Sequence, residues 1–155
     1  LRLKWPNDVL LDGKKLAGIG LEAEPLGGGR LAIAVGIGVN VVSAPDGLPY
    51  PAASMAELGA GASAPGLFEA LAEAWAGIEA SWDGGRGFEA IRRLWLERAA
   101  GLGERVAVQI GEEVFAGVFE TIDWQGRLII RTPGGDARTI TAGEVHFGAV
   151  ATVRA

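Results

Sequence analysis

The residues best suited to chemistry lie in one short stretch, KWPNDVLLDGKKLAGIG, which runs from Lys4 to Gly20. An Asp-Gly pair between two mostly apolar runs is the strongest short-range signal for a β-hairpin. We therefore predict a hairpin from about Asp8 to Glu24, whose turn brings Lys15 back beside the end that carries Asn7 and Asp8. Acidic and amide oxygens can bind a metal ion, a lysine can bind an anion, and glycines let a ligand touch the backbone. The stretch predicts a small anion-binding pocket.

Alternation along a strand decides which lysine enters this pocket. Lys14 and Lys15 must point to opposite faces, and we expect Gly18 to follow Lys15 on the pocket face. A solvated surface charge is the simpler interpretation of either lysine, and spacing alone leaves both open. Gly36 and Gly38, on one face of a later strand, are equally ambiguous, because a crossing helix or strand would also need bare positions there.

Composition excludes several classes of function. The net charge of the 155-residue chain is −5, so the chain lacks the excess of basic residues that is typical of nucleic-acid-binding proteins. The absence of cysteine excludes disulfides and thiolate sites, and a single histidine excludes a histidine-cluster metal site. No apolar run approaches the length of a membrane span. We expect a cytoplasmic protein without membrane or nucleic-acid partners, and we interpret the start at Leu1, inside a strand-like run, as that of a fragment.

Three tracts follow one another along the chain. The first predicts strands, and its run from Leu31 to Val41 is apolar on both faces, which indicates a sheet covered on both sides. A loop rich in proline and glycine, from Ser43 to Ser63, carries no chemical signal. Apolar stripes predict helices over about 67–82 and 88–99, with their tryptophans in the core. The third tract predicts the short strands of a small barrel of SH3-like size. These strands are expected at about 106–110, 114–122, 127–131, 137–141 and 145–153.

The ordered set KWPNDV, a turn, KKLAGI and a strand ending in GIGVN (Gly36 to Asn40) resembles the second half of the catalytic domain of biotin protein ligases. The resemblance covers essentially the whole chain. It implies an α+β fold in which residues 1–102 form part of a mixed sheet packed with helices, of the class II synthetase-like, biotin/lipoate ligase type. Residues 103–155 would form the small SH3-like β-barrel.

The resemblance also implies roles for individual residues. Lys15 matches the motif lysine that contacts the biotin carboxylate and the adenylate phosphate, and it is the implied catalytic residue. The positions implied to line the biotin and adenylate cavity with it are Gly18, Gly36 and Gly38. The positions implied to contact ATP are Asn7, Asp8 and Asn40, of which Asp8 and Asn40 are also the implied Mg²⁺ ligands.

The implied function is that of an ATP-dependent, AMP-forming ligase. It would activate biotin to biotinyl-5'-adenylate and transfer biotin to a lysine of a biotin carboxyl-carrier protein, with a homodimer as a possible assembly. Biotin ligases carry a Gly/Arg-rich loop before KWPND, and no GRGR-type run exists in this chain. We therefore expect the fragment alone to be inactive. Two alternatives stay open: a lipoate-type protein ligase and a non-catalytic protein-binding module.

Overall fold

The computed structural model describes residues 1–59, 61 and 63–148. This part of the chain divides into two compact units. The first contains residues 1–2 and residues 7–70, and the second contains residues 3–6 and the described residues from 71 onward. Both units combine antiparallel strands with helical segments, which confirms the α+β class. The predicted domain boundary between residues 102 and 103 stays a prediction.

The first unit is built on an antiparallel meander of three strands, β2 (Asp8–Leu11), β3 (Lys14–Gly27) and β4 (Arg30–Val39). The turn between β2 and β3 has positive φ at both central residues, 47° at Asp12 and 81° at Gly13. Two such residues define the type I′ turn that matches the twist of a hairpin, so the predicted hairpin is confirmed. A 3₁₀ turn follows over Met55–Leu58. Apolar side chains pack at the β2–β3 end of the sheet: Leu11, Leu16, Val39, Ala53 and Met55.

The helical tract forms as the apolar periodicity predicts. Helix α1 spans Ala64–Trp82, and α2 spans Phe88–Glu97. The Ser63 hydroxyl accepts a hydrogen bond from the backbone N–H of Gly66 at 3.2 Å, which satisfies a donor of the first turn. Gly84 and Gly85, both with positive φ, separate the two helices.

The second unit contains a five-stranded antiparallel sheet in the order β8-β7-β6-β5-β9. Its strands are β5 (Arg105–Ile110), β6 (Glu113–Ile122), β7 (Leu128–Arg131), β8 (Ala137–Ile140) and β9 (Glu144–Phe147). All five predicted barrel strands are present, although the last was expected to run to residue 153 and residues 149–155 lie outside the described part. Leu3 and Lys4 of the short strand β1 (Arg2–Lys4) also belong to this unit, and the backbone of Leu3 hydrogen-bonds to that of Arg98 and Ala100, each at 2.8 Å.

Aromatic and branched side chains fill the interior of the second unit. Phe119, Leu128 and Ile130 are at most 1% exposed, and Trp95 of α2 packs its ring against Phe119 with 6.4 Å between centroids. Trp5 is also buried here, and its indole N–H donates to the Gly126 carbonyl at 2.9 Å. Trp5 therefore packs as a structural residue of this unit.

Two expectations about burial are wrong. The apolar positions of β4 are exposed, from 38% at Val35 to 60% at Leu31, so the described residues do not cover this sheet on both sides. Helix α1 buries none of its residues, and Trp75 and Trp82 are 53% and 45% exposed. Periodicity shows which face of an element is apolar, but it does not show whether another element covers that face.

No helix in the described part of the chain is both long and apolar enough to cross a membrane.

Candidate functional site

The hairpin of β2 and β3 brings Lys15 beside Asp8 and Gly18. Asp8 pairs with Gly18 across the hairpin, and the register shifts immediately after Val9. At that shift Leu16 is an extra residue of β3, which is a β-bulge. Regular alternation would place Lys15 and Gly18, three positions apart, on opposite faces. The extra residue Leu16 reverses the alternation at this point. Gly18 and Lys15 therefore lie on the same face because of the bulge, and regular alternation alone would have separated them.

The ammonium of Lys15 is held among charged and aromatic groups. Lys15 Nζ lies 2.7 Å from Asp8 Oδ1, and the two side chains are 31% and 15% exposed. Water therefore screens this pair less than an open surface pair. The ring centroid of Tyr50 lies 5.3 Å from Nζ. A Cβ built on Gly18 would lie 3.4 Å from Lys15 Cε and 3.6 Å from Asp8 Oδ1.

Beside this ion pair lies a patch of bare backbone, here named the glycine floor, formed by Gly18, Gly20, Gly36 and Gly38. Gly18 pairs with Gly38 and Gly20 with Gly36 between β3 and β4, and alternation places both pairs on one face. A Cβ built on Gly36 or Gly38 would meet only a backbone oxygen at 4.0 Å, and one on Gly20 would meet nothing within 4 Å. No helix or strand crosses this face among the residues that the structure describes. The floor is therefore open to a ligand.

Gly20 was not among the predicted site residues. The signal was present, because Gly20 follows Gly18 at the two-residue spacing that already joined Gly36 to Gly38. Only the β3–β4 register, however, places the two glycine pairs opposite each other.

A cavity of about 340 Å³ adjoins the Lys15 side chain. It is lined by the predicted residues Lys15, Gly18, Gly38 and Asn40. The opposite wall comes from the loop between β4 and the 3₁₀ turn, through Pro45, Leu48, Tyr50 and Ala52. The sequence predicted no functional residue in this loop, because its prolines and apolar residues form no recognisable motif.

Asn40 fixes that loop and lines the cavity. Its Nδ2 donates to the carbonyl of Ala53 at 3.0 Å and to that of Lys15 at 3.5 Å. Its backbone N–H donates to Leu16 and its carbonyl accepts from Met55, at 3.0 and 2.9 Å. Asn40 therefore holds the end of β4 in a defined position at the cavity edge.

The other predicted residues surround the cavity without lining it. Asn7 exchanges hydrogen bonds with Ile19, donating from Nδ2 to the Ile19 carbonyl at 2.7 Å and accepting from its N–H at 2.9 Å. Asp8 meets the cavity through Lys15, and Gly36 lies one step further along the floor than Gly38. The described residues contain no group of three or more His, Asp or Glu side chains that could hold a metal ion by themselves.

Comparisons with known proteins show which families of proteins this chain is similar to. The family model described as the biotin/lipoate A/B protein ligase family matches residues 1–40, the range that holds every predicted site residue. The model described as the biotin protein ligase C terminal domain matches residues 101–148. A biotin–[acetyl-CoA-carboxylase] ligase of Paracoccus denitrificans is 45% identical over 154 residues, which are 96% of this chain and 63% of that protein. The chain is therefore similar to part of a biotin protein ligase, which confirms the resemblance that its motifs indicate.

Further relatives agree with that assignment. A protein of the same name from Mycobacterium tuberculosis is 34% identical over 92% of this chain and 52% of its own length. The chain thus spans between about half and two thirds of these curated relatives.

Solved structures agree with the fold. The apo biotin protein ligase of Aquifex aeolicus covers 95% of this chain with a TM-score of 0.77 at 24% identity, and this chain covers 65% of it. The same enzyme in complex with biotin and ATP covers 94% with a TM-score of 0.74 at 26% identity, with 60% of it covered. The predicted class, a biotin/lipoate ligase-type sheet with helices followed by an SH3-like C-terminal domain, is confirmed.

Proposed function

We propose that this chain carries the adenylate-forming site of a biotin protein ligase. The parent enzyme would activate biotin with ATP to biotinyl-5'-adenylate, release pyrophosphate, and transfer biotin to a lysine of a biotin carboxyl-carrier protein. The observation that carries the proposal is the Lys15 ammonium, held 2.7 Å from Asp8 beside an open glycine floor and a cavity of about 340 Å³.

Adenylation brings two anions together, the carboxylate of biotin and the α-phosphate of ATP. A fixed cation between them offsets their repulsion and stabilises the charge that develops during transfer. Lys15 suits this role because its neighbours fix the ammonium at the cavity edge before any ligand arrives. In the second half-reaction, the acceptor lysine would attack the adenylate, and position and electrostatics would again be the main contributions of the enzyme.

The glycine floor suits the uncharged part of the ligand. Gly18, Gly36 and Gly38 expose backbone where any side chain would stand between the sheet and the ligand, and we add Gly20 to this set. Asn40 would contact the nucleotide from the cavity edge, and Asn7 and Asp8 would contribute from the start of β2.

Mg²⁺ fits these residues as a partner of the nucleotide and not as a resident ion. Asp8 offers one carboxylate, and Asn40 offers an amide oxygen because its nitrogen donates to backbone carbonyls. Mg²⁺ usually binds through one or two such groups together with substrate phosphates and water. Asp8 and Asn40 would hold the cation beside the nucleotide phosphates, where it would offset part of their negative charge.

The relatives support the chemistry proposed here. The curated relatives from Paracoccus and Mycobacterium are named biotin–[acetyl-CoA-carboxylase] ligases, and a solved Aquifex relative is in complex with biotin and ATP. We propose the same ligands and a carboxylase carrier protein as the acceptor for this protein. A cytoplasmic location and a homodimer stay predictions.

Calorimetric titration of a non-hydrolysable biotinyl-adenylate analogue into the chain and into the full-length gene product tests the proposal. Loss of a hydrogen bond to a charged group costs about 1.5–3 kcal/mol, so we expect Lys15→Ala to weaken binding by about 10- to 140-fold. Lys14→Ala is the matched control, because the neighbouring Lys14 pairs with Glu57 at 3.1 Å and does not line the cavity.

Equal affinity of the wild type and Lys15→Ala would contradict the proposed role of Lys15. If neither the chain nor the full-length gene product binds the analogue, the proposed function is contradicted. The same titration with a lipoyl-adenylate analogue separates the lipoate alternative, which the names of the relatives do not favour. Binding of a protein partner that is indifferent to Lys15 and to ATP would instead support a non-catalytic module.

A further inference from the structure

The loop that forms the cavity wall holds Lys15 through both its backbone and its side chain. The Lys15 N–H donates to the Pro51 carbonyl at 2.9 Å, and the Lys15 carbonyl accepts from the Ala53 N–H, also at 2.9 Å. This is a short parallel bridge between β3 and the loop. Tyr50 directly precedes Pro51, so the loop carries the ring to Lys15 on a short and well-anchored segment.

The contact of the ring with the ammonium is attractive. Lys15 Nζ lies 5.3 Å from the Tyr50 ring centroid, within the range of about 6 Å in which a cation is drawn to an aromatic face. Tyr50 is 38% exposed, and the Lys15 side chain is 31% exposed, so the contact is partly withdrawn from water. A lysine has a long flexible stem, and each such contact removes orientations in which the ammonium faces away from the cavity.

We propose that Tyr50 is a positioning residue for Lys15. The ring differs from Asp8 in one important respect, because it attracts the ammonium without a negative charge. An anion that reaches Lys15 competes with the Asp8 carboxylate but not with the ring. Tyr50 therefore keeps the ammonium at the cavity edge while its ionic partner is exchanged.

This inference concerns the same site as the proposed function and extends it, but its first test needs no ligand. In the ligand-free chain, NMR of the Lys15 Cε protons reports the ring directly, because an aromatic face shifts nearby protons upfield. Lys14 serves as the internal reference, since its ammonium pairs with the carboxylate of Glu57. We expect the Lys15 signals upfield of the Lys14 signals in the wild type.

Two substitutions of Tyr50 distinguish the effect of the aromatic ring from the effect of side-chain size. Tyr50→Phe keeps the ring and should keep the upfield shift, whereas Tyr50→Leu should move the Lys15 signals to the Lys14 position. Leu48→Ala, at another position of the same wall, is the control and should leave them in place. An unchanged Lys15 shift in a folded Tyr50→Leu variant would overturn the proposal, as would an equal change in Leu48→Ala.

A second arm connects the role to ligand binding. Cation–π contacts at exposed sites correspond to about two- to fivefold in affinity. We expect Tyr50→Leu to weaken the binding of the biotinyl-adenylate analogue by that factor, and Tyr50→Phe to retain wild-type affinity. If the analogue fails to bind the wild type while the ring shift is present, the proposed function fails and the positioning role stands. If Tyr50→Leu binds as tightly as the wild type, the positioning role in ligand binding fails and the proposed function stands.

Discussion

Gly18→Ala is the smallest change that tests the glycine floor. The new Cβ would lie 3.4 Å from Lys15 Cε, 3.5 Å from Lys15 Nζ and 3.6 Å from Asp8 Oδ1, all ordinary contact distances. The backbone of Gly18 lacks the positive φ that would penalise a side chain. Glycine within a strand is less stable than alanine by roughly 0.5–1 kcal/mol. We therefore expect the variant to fold with a free energy of unfolding equal to that of the wild type or higher by up to about 1 kcal/mol.

Ligand binding should respond in the opposite direction. The methyl group would stand on the floor of the cavity, where the structure has only backbone. Forcing one extra carbon into a fitted site costs about 1–3 kcal/mol. At 1.4 kcal/mol for each factor of ten, this predicts a dissociation constant raised about 5- to 140-fold for the biotinyl-adenylate analogue. Isothermal titration gives the affinity, and thermal unfolding of the same samples gives the stability.

Gly77→Ala in α1 is the matched control, because a Cβ there meets nothing within 4 Å and Gly77 does not line the cavity. It should raise stability by up to about 1 kcal/mol, since alanine is the better helix residue, and leave the affinity unchanged. Wild-type affinity in Gly18→Ala would refute a ligand lying on the floor. A loss of more than about 1 kcal/mol of stability in Gly18→Ala would refute the conclusion that the backbone at Gly18 accepts a side chain without strain.

Three further predictions concern the framework. Gly117→Ala should destabilise the second unit by about 1–3 kcal/mol or more in urea unfolding, because its Cβ would lie 2.7 Å from the Arg131 carbonyl oxygen. Trp5→Phe should cost about 1–3 kcal/mol in the same assay, since it leaves a carbonyl without the 2.9 Å indole hydrogen bond. The pKa of Glu57 is lowered, chiefly by the hydrogen bond from the Ser54 backbone N–H. The stabilisation that ionised Glu57 contributes is therefore present above its unfolded-state pKa and lost as pH falls through its folded-state pKa. Glu57→Gln should flatten the acid limb of a curve of unfolding free energy against pH.

The local chemistry of the hairpin was predictable because it depends on short-range rules. Asp12 and Gly13 select the type I′ turn without help from distant residues. The turn then determines that Lys15 returns toward Asp8. The same holds for the barrel, where short strands alternate with turn residues, and for the two helices, where periodicity and Ser63 indicate the elements.

The cavity wall and the burial pattern were not predictable in the same way. Tyr50 reaches Lys15 through backbone bonds of Pro51 and Ala53, and such bonds leave no trace in side-chain types. Exposure of Trp75 or Ile33 depends on what lies opposite, and an apolar stripe is the same in either case. A sequence pattern specifies the face that an element offers, whereas its partner is a property of the whole assembly.

The β-bulge at Leu16 connects the predictable part of the site with the unpredictable part. Without the extra residue, Lys15 would share a face with Ala17 and Ile19, away from Asp8 and Gly18. With it, Lys15 joins the glycine face, while Leu16 remains buried at 5% exposure and packs with Leu11 and Ala53. The irregularity therefore serves packing and chemistry together, because the apolar anchor keeps the bulge in place and the bulge aims the lysine. A substitution that removes the Leu16 anchor should thus disturb ligand binding, although its side chain belongs to the core.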